Sequence, residues 1–341
     1  MKLTCRLRLR DKHAAELNRQ ARAVNYVWNY CNETQQKAAR TGRRWLGAFD
    51  LMRLTAGSGD ELNLHAHTIQ GVCKQYARSR QAHRRPWLRF RGRKSLGWVP
   101  FNTGHVSVVG RSLKFRGCIY EPMHWRKMPD GTQVGAGSFS QDARGHWYIN
   151  LSIEVDGGDP APQRAIGIDL GLKDLATLSD GTKIQNHQHY RRLEGRLASA
   201  QRAGKTTLAR NLHQRIKNSR SDHIHKVSAQ IAKHHDVIIV GGVSASKVAK
   251  TQMAKSVHDA GWADLKTKLR YKAMRHNGAM IEVDERYTSQ TCSQCGSLPP
   301  ERPKGIAGLG IREWECSSCG AVHDRDVNAA QIGRASCRER V

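Results

Sequence analysis

Acidic residues are scarce in this sequence compared with basic ones. The 341 residues contain 29 Asp and Glu against 57 Lys and Arg, which gives a formal net charge of +28 at pH 7. Solubility requires far less charge than this, and a surface so strongly basic attracts polyanions. The composition therefore predicts a polyanionic partner.

Long apolar runs are also missing. The sequence has no run of roughly 18 apolar residues and no signal-peptide hydrophobic segment after Met1. We therefore expect a cytoplasmic protein and not a membrane protein. Hydrophobic residues make up 38% of the chain, which is enough for packed cores, and the length allows two or three domains.

The cysteines give no sign of a disulfide framework. The chain has nine of them, and five are scattered along it in no paired pattern. These five are Cys5, Cys31, Cys73, Cys118 and Cys337. An odd, scattered set is typical of a reducing compartment.

The other four cysteines form two pairs. Each pair has the spacing CxxC, each is followed directly by glycine, and twenty residues separate the pairs. The paired residues are Cys292 with Cys295, and Cys316 with Cys319. In such turns the thiolates can converge on one ion, at about 2.3 Å for each Zn–S bond. A redox centre needs only one pair, so the pattern favours a closed, structural zinc site.

An aspartate stands in the middle of an apolar strand pattern. The segment from Ala165 to Asp180 reads AIGIDLGLKDLATLSD, with Asp169 among apolar residues and Asp180 before a glycine. Burying an acid in such a strand costs several kcal/mol unless it binds a cation or is paired. We therefore predict that Asp169 is a metal ligand and that Asp180 lies in a turn.

A second acidic segment, DRDVNAA at Asp324 to Ala330, begins a predicted helix. With YTSQTCSQCG and WECSSCG, it resembles the C-terminal signature of the TnpB family of transposon-encoded, RNA-guided nucleases, relatives of the type V CRISPR effectors. The segment around Asp169 resembles the first RuvC motif of that family. The resemblance implies a RuvC-like nuclease domain of RNase H fold with an inserted zinc ribbon. It also implies that Asp169 and Asp326 bind catalytic magnesium or manganese.

The third carboxylate of that family is missing at its usual place. Members have a glutamate directly after the apolar strand that reads VIIV here, whereas this chain has Gly241. Some relatives, including the eukaryotic Fanzor proteins, carry a substitute glutamate further along the chain. Glu285 lies 44 residues after Gly241 and suits that role. The side chains of Glu282 and Asp284, two positions apart, should point to the opposite face of a continuing strand. The alternative is that Glu285 is a solvated turn acid.

The N-terminal half combines strand and helix patterns. Residues 1–10 alternate apolar and basic side chains, and residues 12–82 have helical periodicity with a polar break at Thr55 to Asp60 and a further helix around Leu62 to Tyr76. Short strands are predicted at Val106–Val109, Ser112–Phe115, Ser138–Gln141 and Trp147–Val155. With the resemblance, this predicts an α/β protein with an added β-barrel. The predicted order is a wedge-type barrel at 1–155 with a helical recognition lobe inserted at about 12–82, a linker at 156–163, and a RuvC-like domain at 164–331 with the zinc ribbon at about 288–322.

Basic and aromatic residues are interleaved from Arg78 to Lys94, RSRQAHRRPWLRFRGRK. Basic groups can neutralise phosphates while Trp87 and Phe90 stack on bases or pack beneath them. A charge run is usually a solvated face, but the interleaved aromatics favour nucleic acid. The basic helical stretch from Tyr190 to His235 could line the path of a duplex between guide and target. Its apolar stripe should face the core and consists of Ile216, Ile224, Val227 and Ile231. The candidate contacts are Gln70, Lys74, Arg84, Arg85, Arg89, Arg91, Lys217, Asn218 and Arg220.

The last ten residues, Ile332 to Val341, read IGRASCRERV and resemble the translation of a sequencing-library adapter, so we expect 332–341 to be a non-native tail.

The resemblance implies an RNA-guided DNA endonuclease that acts as a monomeric ribonucleoprotein. A guide RNA would direct it to double-stranded target DNA, and Asp169, Glu285 and Asp326 would hold magnesium or manganese for strand cleavage. The alternatives are a nuclease-inactive, RNA-guided repressor and a compact type V CRISPR effector. A neighbouring transposon end or CRISPR array would separate the transposon protein from the effector.

Overall fold

The protein is described from a computed structural model that covers residues 2–42, 45–125, 134–154, 164–242, 253–303 and 307–338. Contacts divide the chain into two compact units, Met1–Asp156 and Gly157–Val341. The predicted linker at 156–163 lies outside the described residues. Within those ranges, no helix combines the length and the apolar character that crossing a membrane requires.

The described strands of the first unit form two open sheets. They are β1 (Lys2–Arg8), β2 (Trp98–Phe101), β3 (Val106–Val109), β4 (Ser112–Phe115), β5 (Cys118–Tyr120), β6 (Val134–Gln141) and β7 (Trp147–Glu154). Antiparallel pairing gives one sheet in the order β1-β7-β6-β2 and another in the order β3-β4-β5. Among the described strands this pairing does not close a barrel, so the barrel remains a prediction.

The alternation of β1 is the one expected from the sequence. Cys5 and Leu7 are buried and Arg6 is exposed, because successive side chains of a strand point to opposite faces. The short strands β2 and β5 were not predicted. Pairing with neighbours and packing define such strands more than their own residue preferences do.

Four helices are described in the first unit: α1 (Ala14–Arg40), α2 (Ala48–Leu54), α3 (Gly59–Leu62) and α4 (Ala66–Ala82). Buried residues such as Val24 on α1 and Val72 on α4 form the core between helices and sheet. The helix predicted around Leu62 to Tyr76 begins and ends later than expected. Its last turn carries Arg80, which is buried and donates a hydrogen bond to the carbonyl of Leu46 at 2.6 Å.

The second unit contains a mixed five-stranded sheet. Its strands are β8 (Ala165–Leu170), β9 (Asp174–Leu178), β10 (Lys183–Gln185), β11 (Val237–Gly241) and β12 (Ala279–Val283), in the order β10-β9-β8-β11-β12. The first three are antiparallel, whereas β11 runs parallel to β8 and β12. A mixed sheet agrees with the α/β class expected for this half of the chain. A separate pair, β13 (Glu313–Glu315) and β14 (Val322–Asp324), belongs to the cysteine-rich segment.

Helices cover this sheet. The described ones are α5 (Glu194–Arg202), α6 (Thr206–His234), α7 (Ala254–Ala260), α8 (Trp262–Arg275) and α9 (Arg325–Arg338). The apolar stripe predicted for α6 is buried, and its members Ile224 and Ile231 pack in one cluster with Leu265 and Leu269 of α8. Helix α9 includes the first residues of the expected non-native tail, Ile332 to Arg338.

Candidate active site and zinc ribbon

Asp169 lies on β8, between β9 and β11. Its neighbours Ile168 and Leu170 are buried, whereas Asp169 is half-buried. Helix α9 packs closely on the same strand, because a Cβ atom on Gly167 would lie only 2.0 Å from the carbonyl oxygen of Ala330. Glycine at position 167 therefore lets the helix that carries Asp326 approach the strand that carries Asp169.

Asp326 lies in the first turn of α9. The Oδ1 atom of Asp324 accepts hydrogen bonds from the backbone N–H groups of Asp326 and Val327, both at 3.0 Å, and so caps the helix. Lys183 Nζ donates to the other carboxylate oxygen of Asp324 at 2.5 Å. The side chain of Asp326 accepts a hydrogen bond from Arg312 Nη1 at 3.2 Å. Asp326 is thus held at a capped helix start and paired with a guanidinium.

Glu285 occupies the space beside Gly241. Strand β11 pairs with β8 so that Val240 lies opposite Ile168, which brings the next residue, Gly241, beside Asp169. A Cβ atom on Gly241 would lie 1.8 Å from Oε1 of Glu285 and 2.6 Å from its Cδ. The carboxyl group of Glu285 therefore fills the volume that a side chain at position 241 would need.

The charges of the three acids act on one another. Desolvation, together with the charges of Asp326 and Glu285, raises the pKa of Asp169 to about 8, while the charge of Arg325 opposes the shift. Neighbouring carboxylates in a poorly solvated site retain a proton unless a cation replaces it. Carboxylate oxygens are hard donors that suit Mg²⁺ or Mn²⁺. The donor set therefore fits a divalent metal of this kind.

The three carboxylates are not drawn together as tightly as a ligand shell. Among the described residues, the groups with three or more ligand atoms within 4.8 Å of one another are the four ribbon cysteines and a histidine cluster in the first unit. Arg312 contacts one carboxylate oxygen of Asp326, Oδ2, at 3.2 Å, so it competes with a metal for this acid.

The two acids next to Glu285 face other partners. Glu282 accepts hydrogen bonds from Lys266 at 3.2 Å and from Arg270 at 2.5 Å, both on α8. Asp284 is exposed and lies 3.6 Å from Arg286. The geometry therefore favours Glu285 over either neighbour as the third acid beside Asp169.

The four cysteines converge in the ribbon. Their Sγ atoms lie within 4.8 Å of one another, with 3.6 Å between Cys292 and Cys319 and 3.8 Å between Cys295 and Cys316. Four thiolates from two turns are the donor set of a structural, tetrahedral zinc site. The residues present fit zinc.

Each CxxC turn is closed by its glycine. Gly296 N–H donates to the carbonyl of Cys292 at 2.8 Å, and Gly320 N–H donates to that of Cys316 at 2.7 Å. The φ angles of the two glycines are 74° and 71°, a left-handed conformation that glycine adopts without steric cost. The hydroxyl of Ser297, 3.5 Å from the sulfur, lowers the pKa of Cys316 to about 6, which favours the thiolate that binds metal.

Two buried polar residues that the sequence argument missed support the ribbon. His323 Nε2 lies 3.0 Å from the sulfur of Cys292, and its ring centroid lies 4.9 Å from that of Trp314. An N–H donor at this position orients a thiolate ligand and stabilises its charge. Desolvation lowers the pKa of His323, which favours a neutral ring with a single N–H.

Asn328 connects the ribbon to α9. Its Nδ2 donates to the carbonyls of Thr288 at 3.1 Å and Thr291 at 2.7 Å, and its Oδ1 accepts from the N–H of Ser293 at 2.9 Å. The side chain is almost fully buried. A polar residue two positions after Asp326, within an otherwise apolar helix face, was the sequence signal for this role.

The candidate nucleic-acid contacts fall into two groups. The exposed ones are Lys74, Arg84, Arg85, Arg89, Lys217 and Asn218. Arg91 is half-buried and donates to Asn25 Oδ1 at 2.6 Å and to the carbonyl of Leu96 at 2.7 Å, which fixes the basic segment to α1. Arg220 donates to the carbonyl of His258 at 2.7 Å, and Gln70 contacts His67, so both have partners within their own unit.

Two family models match the second half of the chain. Residues 148–252 match the family described as "Probable transposase", and residues 262–332 match the family described as "Cas12f1-like, TNB domain". The first range contains Asp169 and Gly241. The second contains Glu285, the four ribbon cysteines and Asp326.

Relatives cover nearly the whole chain. A Streptomyces pristinaespiralis protein named "Putative RNA-guided DNA endonuclease" is 29% identical over 357 residues, which cover 94% of this chain and 85% of its own. InsQ of Escherichia coli K12, which carries the same description, is 25% identical over 372 residues and covers 95% and 89%. A solved Cas12f1-sgRNA-target DNA complex is 16% identical with a TM-score of 0.41, covering 98% of this chain and 99% of that one. The chain is therefore similar in two separate segments to a transposase family and a Cas12f1-like family, and over most of its length to proteins named RNA-guided DNA endonucleases.

Proposed function

We propose that this protein is an RNA-guided DNA endonuclease that cuts DNA at a carboxylate-bound metal site. The proposal rests on similarity to a transposase family and a Cas12f1-like family, on the names of the relatives, and on the geometry of the three acids. The formal net charge of +28 supports contacts with the phosphates of both a guide RNA and a double-stranded DNA target.

One observation carries the nuclease proposal. The missing glutamate at Gly241 is compensated in space, because the Glu285 carboxyl lies where a side chain at position 241 would be, next to Asp169 on the adjacent strand. The Glu285 carboxyl can occupy this space only because residue 241 is a glycine and has no side chain. This arrangement supports the proposal of a relocated ligand over that of a lost one.

In the proposed site, Asp169, Glu285 and Asp326 hold magnesium or manganese. When bound, such cations activate water and stabilise the leaving oxygen of the cleaved phosphodiester. Asp169 would bind a metal as the carboxylate, and a cation would offset both the burial and the charges of Asp326 and Glu285 that raise its pKa to about 8. Asp326 would be a further ligand, with Arg312 as a competing partner and the Asp324 cap holding the start of α9.

The two units would have different functions. The first unit, with its predicted barrel and helical lobe, would bind guide RNA and target DNA through the exposed arginines of the segment Arg78 to Lys94. The second would be the RNase H-like nuclease domain, with the ribbon zinc as a structural element. We propose a monomeric ribonucleoprotein that acts on DNA in the prokaryotic cytoplasm.

The sharpest test exchanges the two positions. Gly241→Glu alone forces a side chain into the Glu285 carboxyl and should abolish cleavage. The double variant Gly241→Glu with Glu285→Ala returns the carboxylate to strand β11 and should recover cleavage relative to Glu285→Ala alone. Cleavage of a guide-matched duplex in Mg²⁺, with guided binding measured in parallel, gives the readout.

Failure of the double variant to exceed Glu285→Ala would count against the relocation. If the parent protein binds its target but does not cut in Mg²⁺ or Mn²⁺, the protein is an RNA-guided repressor instead. RNA recovered with the protein tests the guide separately: a discrete species whose 3′ part directs binding supports guidance, and only random host fragments contradict it.

A further inference from the structure

Three histidines of the first unit lie against one another. His65 and His67 are at the start of α4, and His105 directly precedes β3. Their ring centroids are 5.1 Å apart for His65 and His67, 4.5 Å for His65 and His105, and 4.4 Å for His67 and His105. One ring nitrogen from each lies within 4.8 Å of the other two, so the nitrogens face a common point.

Well-packed elements hold these rings in place. Thr68, next to His67, donates its hydroxyl to the carbonyl of Pro100 on β2 at 2.9 Å, which joins α4 to the sheet. The neighbouring Ile69 is buried in the core of the first unit. The cluster therefore has a defined geometry before any ligand arrives, as a binding site requires.

Hydrogen bonding leaves one nitrogen of His67 free to bind an ion. Its Nδ1 lies 3.1 Å from Oε1 of Gln70 and 3.5 Å from Nδ2 of Asn102, so both contacts engage Nδ1 and Nε2 is the nitrogen available to an ion. The shorter contact is a hydrogen bond in the tautomer that carries its proton on Nδ1. Histidines that bind metals are usually oriented by such a bond from the other ring nitrogen. Gln70, selected from the sequence as a nucleic-acid contact, instead fixes a ring of this cluster.

His65 can also bind a metal, although its side chain caps the start of α4 with one hydrogen bond. Its Nδ1 accepts a hydrogen bond from the N–H of His67 at 3.2 Å. Coordination by either nitrogen of His65 alters or removes this bond, because coordination through Nε2 requires the proton on Nδ1. The bond is long, so a metal can replace it.

A second histidine group shows that ring proximity alone is not enough. His187, His189 and His223 of the second unit have ring centroids 4.2 to 5.8 Å apart. Here His189 Nδ1 lies 2.9 Å from the hydroxyl of Ser219, and His223 Nε2 donates to the carbonyl of Gln185 at 3.2 Å. In the described part of the chain, this group does not bring three ring nitrogens within 4.8 Å.

We propose that His65, His67 and His105 form a second metal site, which binds a divalent transition metal such as Zn²⁺ through three imidazoles. Imidazole nitrogens suit zinc, nickel, cobalt and copper, whereas Mg²⁺ prefers oxygen ligands. Three protein ligands leave a fourth position for water or an anion. This site lies wholly within the first unit and does not depend on the nuclease activity proposed above.

The test uses full-length protein without a polyhistidine tag, freed of nucleic acid, loaded with Zn²⁺ and dialysed. Elemental analysis should find about two zinc ions per chain, one in the ribbon and one in the histidine cluster. The variant His65→Ala, His67→Ala, His105→Ala should retain about one. The matched control His187→Ala, His189→Ala, His223→Ala should retain the parent content.

Cobalt gives a second readout. The ribbon produces thiolate-to-cobalt charge transfer, while the histidine site should add visible d–d absorption without it. If the triple variant does not fold, the single variant His105→Gln, on a turn, replaces it and should bind the second zinc ion about tenfold or more weakly. The proposal is overturned by one zinc in the parent at saturation, by two in the folded triple variant, by an unchanged affinity for the second zinc in His105→Gln, or by an equal loss in the control.

Discussion

The zinc ribbon and the carboxylate site lie in the same unit but are assembled in different ways. The ribbon takes its four ligands from two short turns. Hydrogen bonds donated by the N–H groups of Gly296 and Gly320 set the geometry of each turn locally. The carboxylate site draws Asp169, Glu285 and Asp326 from a strand, a turn and a helix that are distant in sequence. A local site can be recognised from spacing alone, whereas a site assembled from distant elements can be moved within the fold and still be rebuilt.

The largest expected effect tests the assembled site. Asp169→Ala and Glu285→Ala should each reduce cleavage by about 10³-fold, because each removes a ligand whose metal contributes several kcal/mol to the transition state. Guided binding should persist. Glu282→Ala is the matched control, since its carboxylate pairs with Lys266 and Arg270. If Glu282→Ala loses cleavage and Glu285→Ala does not, Glu285 is misassigned.

Replacing a single cysteine ligand should lower the zinc content of the ribbon. Cys316→Ser removes one of four thiolates, so the ribbon should lose its zinc and a local part of its fold. Elemental analysis of the purified variant should show about one zinc ion fewer per chain than the parent. Ser318→Ala, in the same turn, is the control and should keep the parent content. A folded Cys316→Ser protein with full zinc content would contradict the structural role.

His323 tests how far the local site extends beyond its ligands. His323→Ala removes the donor 3.0 Å from Cys292, and loss of such a supporting hydrogen bond weakens metal binding by about 10- to 100-fold. Competition with a chromogenic chelator measures the zinc affinity. His323→Gln keeps an N–H donor and should recover part of the loss. Equal affinities for the parent and His323→Ala would restrict His323 to a packing role.

The raised pKa of Asp169 predicts a pH effect with a definite sign. In magnesium-free buffer, the folded protein keeps a proton on Asp169 up to about pH 8, whereas the unfolded chain loses it near about pH 4. Stability therefore falls as pH rises through this range, because the folded state binds the extra proton. Asp169→Asn cannot ionise, so its Tm should rise relative to the parent from pH 5 to pH 8. A Tm difference that is constant with pH would contradict the shift.

The smallest effect concerns Arg312. Its ion pair with Asp326 is partly exposed, and such pairs contribute about 0.2 to 1 kcal/mol. Arg312→Ala should therefore lower the Mg²⁺ concentration for half-maximal cleavage by up to about fivefold. Arg286→Ala, whose partner Asp284 lies outside the carboxylate set, should leave that concentration unchanged. A higher Mg²⁺ requirement in Arg312→Ala would mean that Arg312 supports the site and does not compete with the metal.

The fold was predictable where the sequence pattern is strong. Strands β3 and β4 have the predicted bounds, and the stripe on α6 faces the core as expected. The exceptions have physical causes. Helix α4 extends to Ala82, and in its last turn the buried Arg80 donates to the carbonyl of Leu46, a contact between distant segments that no local pattern encodes. Strand β10, with three residues, depends on its pairing with β9.

The sequence by itself determined the pieces of chemistry: the paired CxxC turns, the acid within an apolar strand, the DRDVNAA helix start and the excess of basic charge. These depend on spacing and residue type, which a linear chain states directly. Only the tertiary structure decided that Glu285 fills the space beside Gly241 and is not a solvated turn acid, that Arg312 pairs with Asp326, and that His65, His67 and His105 meet. Each of these depends on the packing of distant segments, because side chains far apart in sequence come together only once the strands pair and the helices cover them.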